Sequence, residues 1–270
     1  MQFYFVFIFS LCNMMKSCIA VLTRGYSDIT QYSMLIKRNK HIANNLHDKS
    51  IHNLIFHEGN ITEDQQIYIQ NETPDLQIKF INILNVAFNK KKENIPIEEM
   101  PQFGLGYRHM CSFWIVDFLN IVKEYDSLLR IDEDCYINFN IDKLLLNIGD
   151  FTFVVGEISG DAEEAVVGIN DFSIDFINKN KDNFTFKNFN TKSADGPYTN
   201  IIGFSLNKIR ENELFRKYIN ELDSSEMIYK RRWGDLPLWG EVIYYIFGSE
   251  SMKIDRSISY FHGSHDRQIN

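Results

Sequence analysis

No C-x-x-C pair occurs among the four cysteines, Cys12, Cys18, Cys111 and Cys135. Zinc ribbons and thioredoxin-like redox centres need that spacing, so neither is supported. Spacing alone does not argue for a disulfide between Cys111 and Cys135. Positive charge is also in deficit: 28 Lys and Arg stand against 36 Asp and Glu, a net charge of −8. This argues against a nucleic-acid partner, because generic affinity for a phosphate backbone comes from Lys and Arg. It leaves room for a small anionic ligand held by a few placed arginines and a metal. No apolar run reaches the ~20 residues that a comfortable membrane-spanning helix needs. Internal repeats and a clear interdomain linker are missing too.

What is present is globular in character, with 44% hydrophobic and 24% charged residues in a chain of 270. Residues 1–16 separate as a hydrophobic N-terminal segment, and residues 17–270 read as one α/β domain. Phe3 to Leu11 has the length of a signal h-region but lacks the basic residues that precede one. An uncleaved anchor or signal-like segment, a buried strand and an over-extended start all fit it. An anchor would bring membrane association through residues 3–15 and a secretory, Golgi-like location; otherwise the cytoplasm is expected. Sequons at Asn60, Asn71 and Asn183 add little in so Asn-rich a chain.

Along the chain, buried strands alternate with helices of ten or more residues, which implies a mainly parallel sheet flanked by helices. Strands are expected at 17–25, 53–56, 77–84, 128–131, 151–158, 198–206 and 257–261. Helices are expected from Ser27 or Asp28 to Asn45, after Thr62, over Tyr107–Glu124 and Glu211–Leu222, and from Asp235 as N-cap to Phe247. The region 160–191 reads as an insertion, helical in part. Lys90, Lys91 and Lys92 form a basic loop, for which a solvated surface is the simpler reading.

The chemistry concentrates where the strand Leu128-Leu-Arg-Ile131 runs into Asp132, Glu133 and Asp134. Charge at the end of a buried strand is costly unless a cation or hydrogen bonds compensate it. In an open α/β sheet the C-terminal strand edge is where ligands bind. Extended geometry would turn Asp132 and Asp134 to one side and Glu133 to the other. Such a pair suits Mg²⁺ or Mn²⁺ shared with a phosphate.

Four blocks in order carry a more specific signal: Tyr107-Arg-His-Met-Cys-Ser-Phe-Trp114, Leu129-Arg-Ile-Asp-Glu-Asp134, Tyr229-Lys-Arg-Arg-Trp-Gly-Asp-Leu-Pro237 and Tyr260-Phe-His262. Together they resemble the fungal α-1,2-mannosyltransferases, glycosyltransferase family 15. That family carries Y-R-H-M-C-R-F, R-V-E-P-D, Y-E-R-W-G-D-A-P and Y-Y-H. The resemblance implies a GT-A fold built on one Rossmann-like sheet, GDP-mannose as donor, Mn²⁺ (or Mg²⁺), a glycan or glycoprotein acceptor, and retention of the anomeric configuration. It implies Asp132, Asp134 and His262 as metal ligands, with Asp132 and Asp134 also contacting the donor. Arg24 would bind donor, Tyr107 and Arg108 would touch donor or acceptor, Trp233 would stack a sugar face or serve as a structural Trp beside Gly234, and Asp235 would receive the acceptor's proton. His265 has no counterpart. The family's N-F-E is replaced here by Asn200-Ile-Ile-Gly203, without a carboxylate. A covalent double displacement through that residue is therefore closed to this chain. A front-face transfer survives, as does a catalytically inactive nucleotide-sugar- or glycan-binding module on the same fold.

Overall fold

The computed structural model describes residues 15–88, 92–181 and 192–269. The N-terminal stretch Phe3–Leu11, Cys12, Lys90, Lys91 and the sequon at Asn183 lie outside them. Among the described residues no helix is long and apolar enough to cross a membrane.

The strands are β1 (Ser17–Leu22), β2 (His52–His57), β3 (Gln77–Asn82), β4 (Ser127–Ile131), β5 (Cys135–Ile137), β6 (Phe153–Val155), β7 (Ile158–Ser159), β8 (Gly196–Pro197), β9 (Ile201–Ser205), β10 (Met252–Ile254), β11 (Tyr260–His262) and β12 (Arg267–Ile269). Seven form the main sheet in the order β10-β6-β9-β4-β1-β2-β3. Strands β3, β2, β1 and β4 run parallel, and only β9 runs against its neighbours. The order reverses between β1 and β4, the kind of switch point where α/β sheets bind ligands.

Both faces of the sheet are covered, so its central strands are apolar throughout. Side chains alternate across β1 and β4: Cys18, Ala20 and Leu128 pack with Phe113, Trp114, Phe118 and Trp239, whereas Ile19, Leu129 and Ile131 pack with Ile42, Leu144 and Ile148. Each fully buried aliphatic side chain stabilises the fold by about 1.5–3 kcal/mol. The helices begin as their residues dictate. Asp28 and Gln31 make a capping box for the short turn that leads into helix Ser33–Asn45, and Thr62 and Gln65 make another for helix Glu63–Glu72. The helix expected over Tyr107–Glu124 runs from Leu105 to Ile121 with a π turn at Phe113–Asp117. Asp235 is not the N-cap of its helix. Gly234 caps it, and Asp235 is the first helical residue of Asp235–Val242.

Two glycines allow that last helix to lie close to β8. A Cβ on Gly196 would meet Leu236 O at 2.0 Å, and one on Gly240 would meet Ala194 O at 2.8 Å. Asp235 is thereby held at the sheet edge. A small second sheet, β12-β11-β5, folds over the same edge. Cys111 and Cys135 are both free and buried, so no disulfide joins them.

Candidate active site

The C-terminal ends of β1, β2 and β4 and the N-terminal end of the antiparallel β9 meet at one edge. Beyond Ile131 the chain does not stay extended. Asp132 N donates to Asn200 O at 2.9 Å, and Cys135 N donates to Asp132 O at 3.1 Å, closing a turn over Asp132–Cys135. The turn breaks the expected alternation. Each of the three carboxylates takes its own direction and its own partners.

Asp132 turns toward the interior. Its two oxygens accept from Arg130 Nε at 2.7 Å and Nη2 at 2.9 Å, a bidentate pair. Arg130 Nη1 reaches Asp235 Oδ2 at 2.5 Å, so one guanidinium bridges two carboxylates. Arg130 is 3% exposed and lies over the Trp114 ring at 4.5 Å. Burial works against its charge, but Asp132 and Asp235 more than restore it and hold its pKa above the ordinary arginine value. Burial pushes the Asp132 carboxyl up; Arg130 opposes this only in part.

Glu133 turns toward β1. Its Oε1 accepts from Tyr26 Oη at 2.7 Å, and its other oxygen takes the Thr23 hydroxyl. With Arg24, Tyr26, Glu58 and Tyr107 it lines a cavity of about 410 Å³. Arg24 is exposed at the rim, its guanidinium 5.1 Å from the Tyr26 ring.

Asp134 turns toward the small sheet. The register of β5 with β11 sets His262 opposite Cys135, and Gly263 N donates to Asp134 O at 2.7 Å. His262 Nε2 then lies 3.1 Å from Asp134 Oδ2. Burial would raise the Asp134 carboxyl, but hydrogen bonds from His262 and Ser264 and the imidazole's charge bring it down to about 2. His262 Nε2 also lies 3.0 Å from Asn200 Nδ2 and 3.3 Å from Ser264 Oγ, and Nδ1 lies 3.2 Å from Tyr198 Oη. In the tautomer with its proton on Nδ1, Nε2 gives up its bond to Asp134 and its lone pair is free to share a cation with that carboxylate. A carboxylate and an imidazole lone pair facing one point form a donor set for a divalent cation. Asp134, Cys135 and His262 each offer a ligand atom, all within 4.8 Å of one another. These residues therefore fit a metal.

The turn thus brings Asp132 and Asp235 together through Arg130, Asp134 to His262, and Arg24 and Tyr107 to the cavity. It does not join Asp132 to the Asp134–His262 pair. Arg108 is not at the site at all: it is fully buried, and its guanidinium donates to the carbonyls of Phe103, Tyr229, Glu99 and Met100. Trp233 is 3% exposed and donates Nε1–H to Val167 O at 2.9 Å, which leaves no open face for a sugar. His265 is exposed and stacks on His262 at 4.3 Å.

The sequence reading gave no role to three residues at the site, Arg130, Glu133 and Arg232. Arg130 was legible, because period-two alternation in β4 puts residues 130 and 132 on one face. Glu133 needed the turn. Arg232, in the left-handed region at φ 63°, pairs with Asp161 at 2.5 Å and donates to Tyr107 Oη at 2.6 Å; no local pattern announces it.

Sheet order and site define a GT-A-type glycosyltransferase fold. Core-mannan synthase A of Aspergillus fumigatus, solved in a Mn/GDP form, superposes with a TM-score of 0.74 at 17% identity, over 93% of this chain and 75% of that one. The mannosyltransferase Ktr4p of S. cerevisiae gives 0.72 at 16% identity, over 92% and 70%. Among curated proteins, glycolipid 2-alpha-mannosyltransferase 1 of Candida albicans is 25% identical over 175 residues, 58% of this chain and 39% of that protein. Probable mannosyltransferase KTR3 of Saccharomyces cerevisiae is 30% identical over 152 residues, 50% and 37%. The matched region thus spans under two fifths of each curated relative. No family model matches the chain. Within its fold class, this chain is similar in sequence, over those matched regions, to fungal mannosyltransferases.

Proposed function

We propose that this protein is a metal-assisted glycosyltransferase that moves a hexose, mannose from GDP-mannose, to a hydroxyl of a glycan or glycoprotein, with retention. The observation that carries the reading is the turn Asp132–Cys135 at one sheet edge, whose Glu133 lines the Arg24-rimmed cavity and whose Asp134 meets His262. The likeness to mannosyltransferases supports the class of donor.

Arg24 and Tyr107 would bind the nucleotide diphosphate, the guanidinium supplying charge-assisted hydrogen bonds. Asp134 and His262 would hold Mn²⁺ or Mg²⁺. Such a cation neutralises charge building on a departing diphosphate. Asp235 has its Oδ2 committed to Arg130, so Oδ1 is the oxygen that would take the acceptor's hydroxyl proton. Asp132, locked against Arg130, acts here by fixing that guanidinium rather than as a donor ligand. Ile201 and Ile202 lie buried in β9, and no side chain of Asn200–Gly203 can act as a nucleophile. Retention would then follow a front-face path, in which the leaving phosphate assists the incoming hydroxyl.

The same vacancy of carboxylates favours a second reading, an inactive nucleotide-sugar-binding module. Purified protein with Mn²⁺ and a panel of nucleotide sugars separates the two. Turnover of GDP-mannose that disappears in Asp134→Ala is the expected result. GDP binding without turnover supports the second reading. Neither transfer nor hydrolysis with any donor, together with no donor-induced thermal shift, overturns both.

A further inference from the structure

We propose that the cation at this site is held by Asp134, His262 and the thiolate of Cys135, with Asp132 excluded, which makes this a mixed oxygen–nitrogen–sulfur centre able to take a thiophilic metal. This rests on the metal-assisted reading above and names the ligands of that same site. Two independent observations carry it. Both carboxylate oxygens of Asp132 are taken by Arg130, at 2.7 and 2.9 Å, inside a pair whose cation is 3% exposed. Freeing Asp132 for a metal would strand Arg130 beside Asp235 alone and set a second cation near it, an arrangement that costs both desolvation and repulsion. On the other side of the turn, Cys135 Sγ, an Asp134 oxygen and a His262 ring nitrogen all lie within 4.8 Å of one another. Sγ is already 3.9 Å from Asp134 Oδ1.

The backbone makes the set rigid. Cys135 is the first residue of β5 and pairs in register with His262 on β11, so a two-strand ladder fixes the sulfur and the imidazole relative to each other. The remaining ring nitrogen of His262 faces Tyr198 Oη, the kind of outer contact that orients a ligating imidazole. Asp134 is 16% exposed on its side chain, which leaves an approach from solvent. Coordination replaces the thiol proton with the metal, so each cation bound releases that proton to solvent.

Affinity order alone cannot test this, because nitrogen and oxygen sites also bind Co²⁺ and Zn²⁺ more tightly than Mn²⁺. The sulfur has its own signature. Titrating the full chain with Co²⁺ is expected to produce a thiolate-to-cobalt charge-transfer band in the near ultraviolet, absent in Cys135→Ser. That variant should also bind Co²⁺ roughly 10–100-fold more weakly, at least the loss that outer contacts to a metal produce, while Mn²⁺ affinity falls less. Cobalt binding with no charge-transfer band, and an unchanged titration in Cys135→Ser, overturns the ligand assignment but leaves the metal-assisted reading standing. No binding of Co²⁺ or Mn²⁺ overturns that reading itself, and this assignment with it. If Cys135→Ser fails to fold, cadmium NMR of the wild-type chain decides the matter: a shift in the sulfur-ligated range supports the assignment, and one in the all-oxygen and nitrogen range overturns it.

Discussion

Two buried arginines at the same sheet edge are held in opposite ways. Arg38, fully buried under the turn, has no carboxylate partner. It donates to Ile131 O at 2.9 Å, Ala20 O at 3.2 Å, Asn39 Oδ1 at 2.8 Å and Asn53 Oδ1 at 3.0 Å. Burial lowers its pKa to about 9, with only partial relief from Asp132, Cys135 and Glu133. Arg130, on the other face of β4, is clasped by Asp132 and Asp235 and held firmly charged. Arg38 ties together the ends of β1 and β4 through neutral oxygens. Arg130 takes two carboxylates out of circulation and fixes where they point. The lesson is that a cluster of acids at a strand end is not one site: its chemistry depends on which acids an arginine has already claimed.

Breaking the Arg130 clasp should have the largest effect. Arg130→Met leaves Asp132 and Asp235 buried without their cation, and should cost about 3–5 kcal/mol in urea unfolding. Adding Asp132→Asn and Asp235→Asn should recover much of that loss; a triple variant no more stable than the single would show that Arg130 acts through packing on Trp114 instead. Next comes Asp134, an acid paired with an imidazole and not with an arginine. Asp134→Ala should lower glycosyl transfer about a hundredfold or more, the scale of losing electrostatic stabilisation of a departing charge, with little change in melting temperature. Loss of both together would mean that Asp134 chiefly supports the fold.

Arg38→Met should cost about 2–3 kcal/mol, since carbonyls at the ends of two strands lose their donors. That cost should be insensitive to salt, in contrast to any change at an exposed ion pair. The smallest effect concerns Asp117, far from the edge, an acid with neither arginine nor metal. Its Oδ2 is buried without a hydrogen-bond partner. Burial raises its pKa to about 7, despite the opposing charge of Lys92. A carboxyl whose folded value lies above its unfolded one of about 4 binds more protons in the native state. Stability from this group therefore falls as pH rises from about 4 to 7 and is level above. Asp117→Asn should flatten that slope and gain on the order of 1–2 kcal/mol at pH 8; an unchanged slope in pH-dependent urea unfolding would refute the assignment.

Much of the architecture was legible because short-range rules govern it. The capping residues Asp28 and Thr62, the buried faces of β1 and β4, and the helix carrying Phe113, Trp114 and Phe118 all followed from residue type and spacing. The resemblance singled out Asp134, His262, Arg24 and Tyr107; the fold brings Asp134 to His262, and Arg24 and Tyr107 to one cavity. Arg108 misled, and Trp233 took the structural one of its two readings, for a shared reason. Motif position does not reveal burial, and both side chains spend their donors on backbone carbonyls inside the fold. The Asp132-Glu-Asp134 reading failed at one step, the assumption that the strand continued.

The chain's own order of residues determined the α/β class, the strand that ends in three acids, and the alternation that sets Arg130 beside Asp132. Those are properties of covalent geometry and of side chains within a few residues of one another. Only the tertiary structure decided that Asp132, Glu133 and Asp134 part company. Tyr26, which holds Glu133, and His262, which holds Asp134, lie more than a hundred residues away along the chain, as does Asp235, which shares Arg130 with Asp132; sheet register and helix packing, not local spacing, bring them together.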